Sequence, residues 1–332
     1  MTPMNNHSAL WSIVLAGGEG TRIGSFVQRW LGQQKPKQFC TFVGTRSLLQ
    51  HTLDRAARLA PAERSVLLVA QTHCQEAMTQ LNGREVGTLL FQPVNRDTAA
   101  GVFLPLTYIR AQDQQATVVI YPSDHFVFPE ELFLDHVRHA VLAAEQLKHR
   151  IVLLGVAPDR LELDYGWIVP GQRLVHPGRT PVQTVLRFLE KPTAPQADEA
   201  LSNNALWNTM VMTAKVDTLW QLGRQCFPDL MERFERLGWA IGTSEESRVL
   251  EEIYQNMPSR NFSSDLLQQR PEHVVVIELT DVLWSDWGRP ERIADALRRI
   301  DRTPAFPLNA LGSPFAPHSN DHPLVFPVSE GG

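Results

Sequence analysis

The sequence has 332 residues, of which 43% are hydrophobic and 20% charged, and its formal net charge is −5. This length and composition predict one large α/β domain, or a domain with a small appendage, and enough apolar residues for a sizeable core. The negative charge argues against nucleic-acid and acidic-membrane partners, and no apolar run approaches the roughly 18 residues of a membrane span. Three scattered cysteines and an N-terminus without a signal-peptide pattern favour a cytoplasmic protein with free thiols.

Apolar runs and helical stretches alternate through the first half of the chain. The runs that we interpret as strands buried on both faces lie at 12–16, 65–70, 117–121 and 151–156. The helices between them are expected from Ser47, from about Thr72, from Asp97 and over 130–148. Because strand and helix alternate, the pattern indicates a parallel sheet with helices on both faces.

The alternation ends after residue 156, where three apolar segments follow one another with no helix between the first two. These segments are 165–171, 182–190 and 205–214. Helices are expected from about 215 to 269. We therefore predict a Rossmann-like, three-layer α/β/α fold with a mixed, mainly parallel sheet. The body covers 1–301, in halves of about 11–156 and 157–301, and residues 302–332 form a proline-rich, irregular tail.

A glycine-rich loop, "LAGGEGTR" at 15–22, follows the first apolar run, and "KPKQF" at 35–39 comes soon after. Glycines let the backbone N–H groups approach an anion closely, and Arg22 and Lys37 can neutralise phosphate oxygens. The segment 17–38 carries four cations and one anion in a chain of net negative charge. A flexible turn with a solvated basic face is the alternative for this segment taken alone.

Two common phosphate-binding loops do not fit this glycine pattern. A Walker A loop requires a Gly-Lys pair, which the chain lacks. A dinucleotide-binding GxGxxG pattern that starts at Gly18 has Ile23 in place of its third glycine. The second apolar run also lacks the acidic residue that would contact a ribose. Both classes of protein are therefore disfavoured.

The loop and seven later segments, in the same order, resemble the sugar-1-phosphate nucleotidyltransferase family and within it the mannose-1-phosphate guanylyltransferases. The later segments are "SLLQHTLDR" (47–55), "FQPVNRDTAA" (91–100), "PSDHFV" (122–127), "LGVAPDRLELDYGWI" (154–168), "FLEKP" (188–192), "LWNTMVM" (206–212) and "WSDWG" (284–288). The resemblance covers roughly residues 11 to 300. It implies the nucleotide-diphospho-sugar transferase type of fold, with a nucleotide half at 11–156 and a sugar-binding half at 157–301.

The resemblance implies transfer of a nucleotidyl group from a nucleoside triphosphate, GTP in this branch, to mannose 1-phosphate, with release of pyrophosphate. The attacking phosphate is already ionised, so positioning and charge neutralisation should supply most of the rate. The catalytic residues would be Arg22, Lys37, Asp124 and Asp286. Asp124 and Asp286 would also bind Mg²⁺, which prefers oxygen ligands. His125 is expected to be structural, because Mg²⁺ rarely takes imidazole.

Further residues are expected to bind the two substrates by the same resemblance. For the nucleotide these are Leu15, Ala16, Gly17, Gly18, Gly20, Thr21 and Arg96. For the sugar phosphate they are Gly166, Glu190, Lys191 and Asn208. The sequence leaves the oligomeric state undetermined, with a homodimer as one alternative.

The chain departs from the pattern of the resembled branch at four positions. Where the branch has a glutamate, an asparagine and a glycine, this chain has Gln92, Asp97 and Met210. Trp287 replaces the valine of an Asp-Val-Gly motif. A methionine beside Asn208 should reshape the hexose pocket. Another sugar phosphate or base therefore stays open as a substrate, as does a non-catalytic regulatory subunit that binds sugar nucleotides.

Overall fold

A computed structural model describes residues 9–174 and 180–311 of the chain. The strands within these residues are β1 (Leu10–Ala16), β2 (Ser65–Ala70), β3 (Thr88–Gln92), β4 (Thr117–Pro122), β5 (Phe126–Phe128), β6 (Ile151–Val156), β7 (Gly166–Leu174), β8 (Val182–Glu190), β9 (Leu206–Lys215), β10 (Val274–Glu278) and β11 (Leu283–Ser285). All four strands predicted in the first half are present, within two residues of the expected limits.

Helices connect most of the strands. They are α1 (Gly24–Leu31), α2 (Leu48–Ala57), α3 (Cys74–Gln80), α4 (Asp97–Gln112), α5 (Glu130–Gln146), α6 (Ala194–Ser202), α7 (Val216–Cys226), α8 (Pro228–Ala240), α9 (Glu246–Gln255) and α10 (Pro290–Arg299). Ser47 is the N-cap of α2 as predicted, because its hydroxyl accepts from the Gln50 N–H and the Gln50 side chain returns the bond.

Nine strands form one mixed sheet in the order β3-β2-β1-β4-β9-β6-β10-β8-β7. Strands β8 and β9 pair antiparallel with their neighbours, and the other seven strands share one direction. The prediction of an α/β fold with a mixed, mainly parallel sheet is confirmed. The carboxyl ends of β1, β3 and β4 lie at the same edge of this sheet, so the residues after them are brought together.

Two apolar clusters cover the two faces of the sheet. Alternate residues of β4 enter different clusters: Val118 and Ile120 enter one, and Val119 and Tyr121 the other. The first cluster includes residues of α4, α7, α8 and α9, and the second includes residues of α2, α5 and α6. Strands buried on both faces read as continuous apolar runs, which is why the sequence predicted them.

The predicted tail begins as part of the body. Phe306, Ala310 and Leu311 join a third apolar cluster with residues of α1 and α10. Pro304 forms a β-bridge with Val43, and the Ala305 N–H donates to the Phe42 carbonyl at 2.8 Å. The expectation of an irregular tail after residue 311 lies outside the described residues.

A second sheet of only two strands, β5 and β11, determines the geometry beyond the edge of the main sheet. The strands are antiparallel, and Ser285 pairs with Phe126. Asp124 lies two residues before Phe126 and Asp286 one residue after Ser285, so this ribbon brings two carboxylates that are 162 positions apart close together. The sequence analysis did not predict the ribbon.

Candidate active site

The glycine-rich loop leaves β1 and closes over the turn Lys37–Phe39. The Gln38 side-chain amide donates to the carbonyls of Ala16 at 3.0 Å and Gly18 at 2.8 Å, which fixes the start of the loop. Gly20 has φ +62°, and a Cβ there would lie 2.9 Å from both Cβ and N of Lys37. Glycine is therefore required for conformation and for space, and the loop backbone lies directly against Lys37.

Lys37 connects the two carboxylate-bearing segments. Its side chain is only 4% exposed, and its ammonium lies 2.7 Å from Oδ2 of Asp124. The same ammonium donates to the main-chain carbonyl of Asp286. Burial alone would raise the pKa of Asp124, but the charge of Lys37 and its hydrogen bond to the carboxylate outweigh this effect and lower the pKa to about 2. Asp124 is therefore a carboxylate throughout the physiological pH range.

His125 connects β4 to β9 and has a structural position, as expected. Its Nδ1 lies 3.1 Å from the Thr209 carbonyl, and its ring meets Trp284 edge-on at 5.2 Å. Burial lowers its pKa, although the Asp124 charge opposes this effect. A neutral imidazole then donates from Nδ1 to the carbonyl and orients the chain next to Asp124.

Asp286 is 3% exposed and is surrounded by donors. Its Oδ1 accepts from Arg292 at 2.8 Å, from the Gly288 N–H at 3.0 Å and from the Tyr165 hydroxyl. Its Oδ2 accepts from Arg22 at 2.7 Å. Burial, together with the Asp286 charge, raises the pKa of Tyr165, so the phenol keeps its proton and acts as a donor.

A cavity of about 170 Å³ lies between the glycine loop and these carboxylates; we call it the loop cavity. Its lining includes Gly20, Thr21, Arg22, Lys37, Asp124 and Gly288. The structure thus brings together three of the four expected catalytic residues around one space, and the fourth, Asp286, contacts two of them.

A larger cavity of about 470 Å³, the strand-end cavity, lies on the other side of the glycine loop. Its lining includes Leu15, Gly17, Gly18, Gln92, Asp97 and Thr98. Three of the residues expected to bind nucleotide therefore face it. Ala16, also expected to bind nucleotide, is only 1% exposed and is not part of this lining. Arg96 donates to the carbonyls of Tyr254 at 2.8 Å and Gln255 at 2.9 Å, so its guanidinium holds the end of α9.

Three of the residues expected to bind sugar converge. A Cβ on Gly166 would lie 3.1 Å from Oε2 of Glu190 and 3.3 Å from Cβ of Asn208. Burial raises the pKa of Glu190, with Lys191 opposing this and Asp97 adding to it. Met210 adjoins the group, because Nδ2 of Asn208 lies 3.3 Å from its sulfur. Lys191 follows Glu190 with φ +46° and an exposed side chain.

The expected metal site was compared with this arrangement. Within residues 9–174 and 180–311, no group of three or more histidine, cysteine, aspartate or glutamate side chains is arranged to hold a metal ion. The Lys37 ammonium nevertheless contacts both residues, Asp124 through Oδ2 and Asp286 through its main-chain carbonyl. Within the described part of the chain, Oδ2 of Asp286 accepts from Arg22 alone, whose side chain is 48% exposed. Carboxylate oxygens are the ligands that Mg²⁺ prefers, so the donor chemistry of the two residues fits a divalent cation whose other ligands would come from phosphate and water.

Comparison with known proteins agrees with the sequence motifs. The family model "Nucleotidyl transferase" matches residues 11–303. The chain belongs to the nucleotidyl transferase family. This confirms the family that the motifs predicted, and enzymes of this family generally use a divalent metal.

Curated relatives carry the names that the motifs suggested. The chain is 28% identical over 288 residues to the xanthan biosynthesis protein XanB of Xanthomonas campestris pv. campestris, covering 85% of this chain and 58% of the relative. It is 28% identical over 284 residues to a mannose-1-phosphate guanylyltransferase of Klebsiella pneumoniae, covering 84% and 58%. The chain thus spans somewhat more than half the length of these relatives.

A solved structure supports the fold. The protein titled mannose-1-phosphate "geranyltransferase" from Thermus thermophilus is similar with a TM-score of 0.71 and 29% identity, over 86% of this chain and 79% of that one. None of the helices in the described part of this chain combines the length and apolar composition that a membrane span requires.

Sequence reasoning missed four side chains that organise the site. Gln38 lies within the "PKQF" motif itself, so the motif held a signal for it. Glu162 and Tyr165 lie within the motif at 154–168, but more than 120 residues before Asp286 and Arg292, so only the fold shows that they meet beside that carboxylate. A buried arginine in the amphipathic helix α10 has no local pattern that distinguishes it from a solvated one.

Proposed function

We propose that this chain transfers a nucleotidyl group from a nucleoside triphosphate to a hexose 1-phosphate, releasing pyrophosphate. The most specific form of the proposal is GTP and mannose 1-phosphate, which give GDP-mannose. The names of the relatives and the motifs support these two substrates. The proposed catalytic unit is 1–301, with a nucleotide half at about 11–156 and a sugar half at about 157–301.

One observation carries the proposal. The loop cavity, with Arg22 and Lys37 in its wall, adjoins the strand-end cavity through the glycine loop, and Asp286 links it to Tyr165. Tyr165 immediately precedes Gly166 in the group with Glu190 and Asn208. A triphosphate in the loop cavity would thus lie between its own base and a sugar phosphate.

The chemistry requires little from a general base. An oxygen of the sugar phosphate attacks the α-phosphorus, a new phosphorus–oxygen bond forms, and the bond from the α-phosphorus to the β-phosphate oxygen breaks. Pyrophosphate leaves with the electron pair of that bond. Arg22 and Lys37 would neutralise the charge that grows on the leaving group, and the backbone N–H groups of the loop would orient it.

We propose Mg²⁺ as the metal, held by Asp124 and Asp286. When bound, it would neutralise phosphate charge as a Lewis acid. The contribution of the chain is to hold two carboxylates at fixed positions, one through Lys37 and the other through Arg292 and Tyr165. Asn208 and Glu190 would orient the sugar by hydrogen bonds to its hydroxyl groups.

A pyrophosphate-release screen tests the proposal. The purified chain is combined with each of four nucleoside triphosphates and with the 1-phosphates of mannose, glucose, fucose and N-acetylglucosamine, with and without Mg²⁺. We expect release to be highest with GTP and mannose 1-phosphate. Release with another pair would correct the substrates, and no release with any pair would contradict the enzymatic function and favour a binding subunit.

A further inference from the structure

Arg292 and Glu162 form a buried ion pair beside the carboxylate of Asp286. Arg292 is 6% exposed, Glu162 is 5% exposed, and the guanidinium donates to Oε2 of Glu162. A second nitrogen of the same guanidinium donates to Oδ1 of Asp286 at 2.8 Å and to the Tyr165 hydroxyl at 2.6 Å. Arg292 therefore joins two buried acids and a phenol through one rigid planar group.

The two oxygens of Asp286 are held in different ways. Oδ1 accepts from three groups, the Tyr165 hydroxyl, the Gly288 N–H and Arg292, and all three are buried. Among the residues that the structure describes, Oδ2 accepts from Arg22 alone, and the Arg22 side chain is 48% exposed and lines the loop cavity. One oxygen is thus fixed by the protein interior, while the other faces a partner that can move.

Arg292 itself is not accessible to a substrate. It lies against the ring of Tyr165, with 4.9 Å from Cζ to the ring centroid. The cavity that it borders has a volume of about 30 Å³, which has room for a water molecule but not for a sugar or a nucleotide. The effect of Arg292 on the reaction must therefore pass through the groups that it contacts.

We propose that Arg292, supported by Glu162, is a positioning residue for Asp286. It fixes Oδ1 so that Oδ2 is presented to Arg22 in the wall of the loop cavity, and a divalent cation would be the alternative partner of that oxygen. The expected effect on catalysis rests on the proposed function. Removal of Arg292 would leave Glu162 and Asp286 as two buried carboxylates without their shared cation, and Asp286 would then lose its fixed orientation.

The test measures binding of Mn²⁺ to the free enzyme by electron paramagnetic resonance, alongside kcat, KM and thermal unfolding. We expect Arg292→Met to weaken Mn²⁺ binding and to lower kcat by about 10- to 100-fold, as outer-shell partners of metal ligands do. Arg292→Lys should recover part of both effects because it restores a buried cation. Arg22→Met should have the opposite effect on Mn²⁺ and strengthen its binding, because it removes the competitor for Oδ2.

Arg299→Met is the matched control. Arg299 lies on the same helix and pairs with Asp159 at 3.0 Å, without contact to Asp286, so Mn²⁺ binding and kcat should stay at the wild-type values. If Arg292→Met does not fold, Glu162→Gln replaces it, since that change keeps shape and volume and removes only the charge. Unchanged Mn²⁺ binding and kcat in a folded Arg292 or Glu162 variant would overturn the proposal.

The two proposals can fail separately. If the wild-type enzyme and Arg22→Met both fail to bind Mn²⁺, the inference is wrong even where pyrophosphate release is observed. If no nucleotide and sugar pair gives pyrophosphate while Arg292→Met and Arg22→Met shift Mn²⁺ binding in opposite directions, the proposed function fails and the positioning role stands.

Discussion

The contact between Arg22 and Asp286 requires a residue without a Cβ at position 288. A Cβ at this position would lie 2.5 Å from Oδ2 of Asp286 and 2.7 Å from Cζ of Arg22, both too close for real atoms. The glycine therefore allows the arginine and the carboxylate to meet above the main chain. The requirement for glycine is steric and not conformational, because Gly288 does not have a positive φ.

We predict that Gly288→Ala separates Arg22 from Asp286 and lowers kcat/KM for the nucleotide by about 100-fold, the scale of a displacement of 1 Å. Steady-state kinetics and circular dichroism would measure this. Gly238→Ala is the control, since the nearest atom to a Cβ there is Cγ2 of Thr107 at 3.6 Å. Equal losses in the two variants would show that the contact has no part in the reaction.

Three of the four positions that depart from the resembled branch share one backbone feature. Asp97, Met210 and Trp287 have φ values of +65°, +58° and +46°. This left-handed region suits glycine and asparagine, which are the residues of the branch at 210 and 97. The substitutions therefore keep the backbone shape of the site at a cost in local strain.

Met210 gives a prediction about the sugar. Met210→Gly and Met210→Ala both remove the side chain that contacts Asn208, so both should change the ratio of kcat/KM between mannose 1-phosphate and a bulkier sugar phosphate, by about tenfold or more. Because φ is positive, the glycine variant should be more stable than the alanine variant by about 1 kcal/mol. A glycine in an ordinary strand would have the opposite effect.

Selectivity assays and thermal unfolding of both variants measure these two effects separately. Asp281→Gly serves as the control, since Asp281 also has a positive φ, of +58°, and is exposed. An unchanged selectivity ratio in both Met210 variants would mean that this side chain does not limit the sugar pocket.

At the scale of secondary-structure elements, the sequence predicted strands that are buried on both faces and missed strands that are short. Strands β2 and β6 match their predicted limits. Strand β3 was not predicted, because its burial is mixed, nor was β10. The ribbon of β5 and β11 has three residues in each strand, too few for a period to be visible, yet it aligns Asp124 with Asp286. The motifs thus named the two acids, but only long-range pairing shows why they meet.

Arg96 is predicted to stabilise the end of helix α9. The resemblance implied nucleotide binding, whereas its guanidinium donates to the carbonyls of Tyr254 and Gln255 at the end of α9. We expect Arg96→Met to reduce the free energy of unfolding by about 1.5–3 kcal/mol, the range for hydrogen bonds from charged groups. Chemical denaturation measures this loss, with the exposed Arg64→Met as control. A nucleotide KM that rises alone, at unchanged stability, would restore the original interpretation.

At the scale of the whole molecule, two apolar clusters on one sheet favour the three-layer arrangement, which remains our prediction. The third cluster lies behind the loop cavity. Helix α1 begins directly after the turn Thr21–Ile23 that carries Arg22, and its apolar face packs against Phe306. Composition alone suggested an irregular tail from 302 because prolines disfavour regular structure, but it gave no indication that Phe306 would be buried against α1.

Phe306 should therefore affect a site that it does not contact. It is 3% exposed and meets Phe26 at 5.1 Å and Trp30 at 5.5 Å, both on α1. Phe306→Ala should reduce the free energy of unfolding by about 3–5 kcal/mol, because it leaves a cavity in a packed cluster. Since α1 is anchored there, the position of Arg22 should also become less defined, and the KM for the nucleoside triphosphate should rise more than that for the sugar phosphate.

The control is Leu308→Ala in the same segment, since that side chain is 63% exposed and should change neither quantity. Denaturation curves and the two KM values, measured below the unfolding transition, separate packing from catalysis. If Phe306→Ala lowered stability and left both KM values at wild-type levels, the third cluster would support the fold alone. A rise confined to the triphosphate KM would instead mean that residues 302–311 are needed to hold the anion-binding turn, and that a chain ending at 301 would be a weaker enzyme as well as a less stable one.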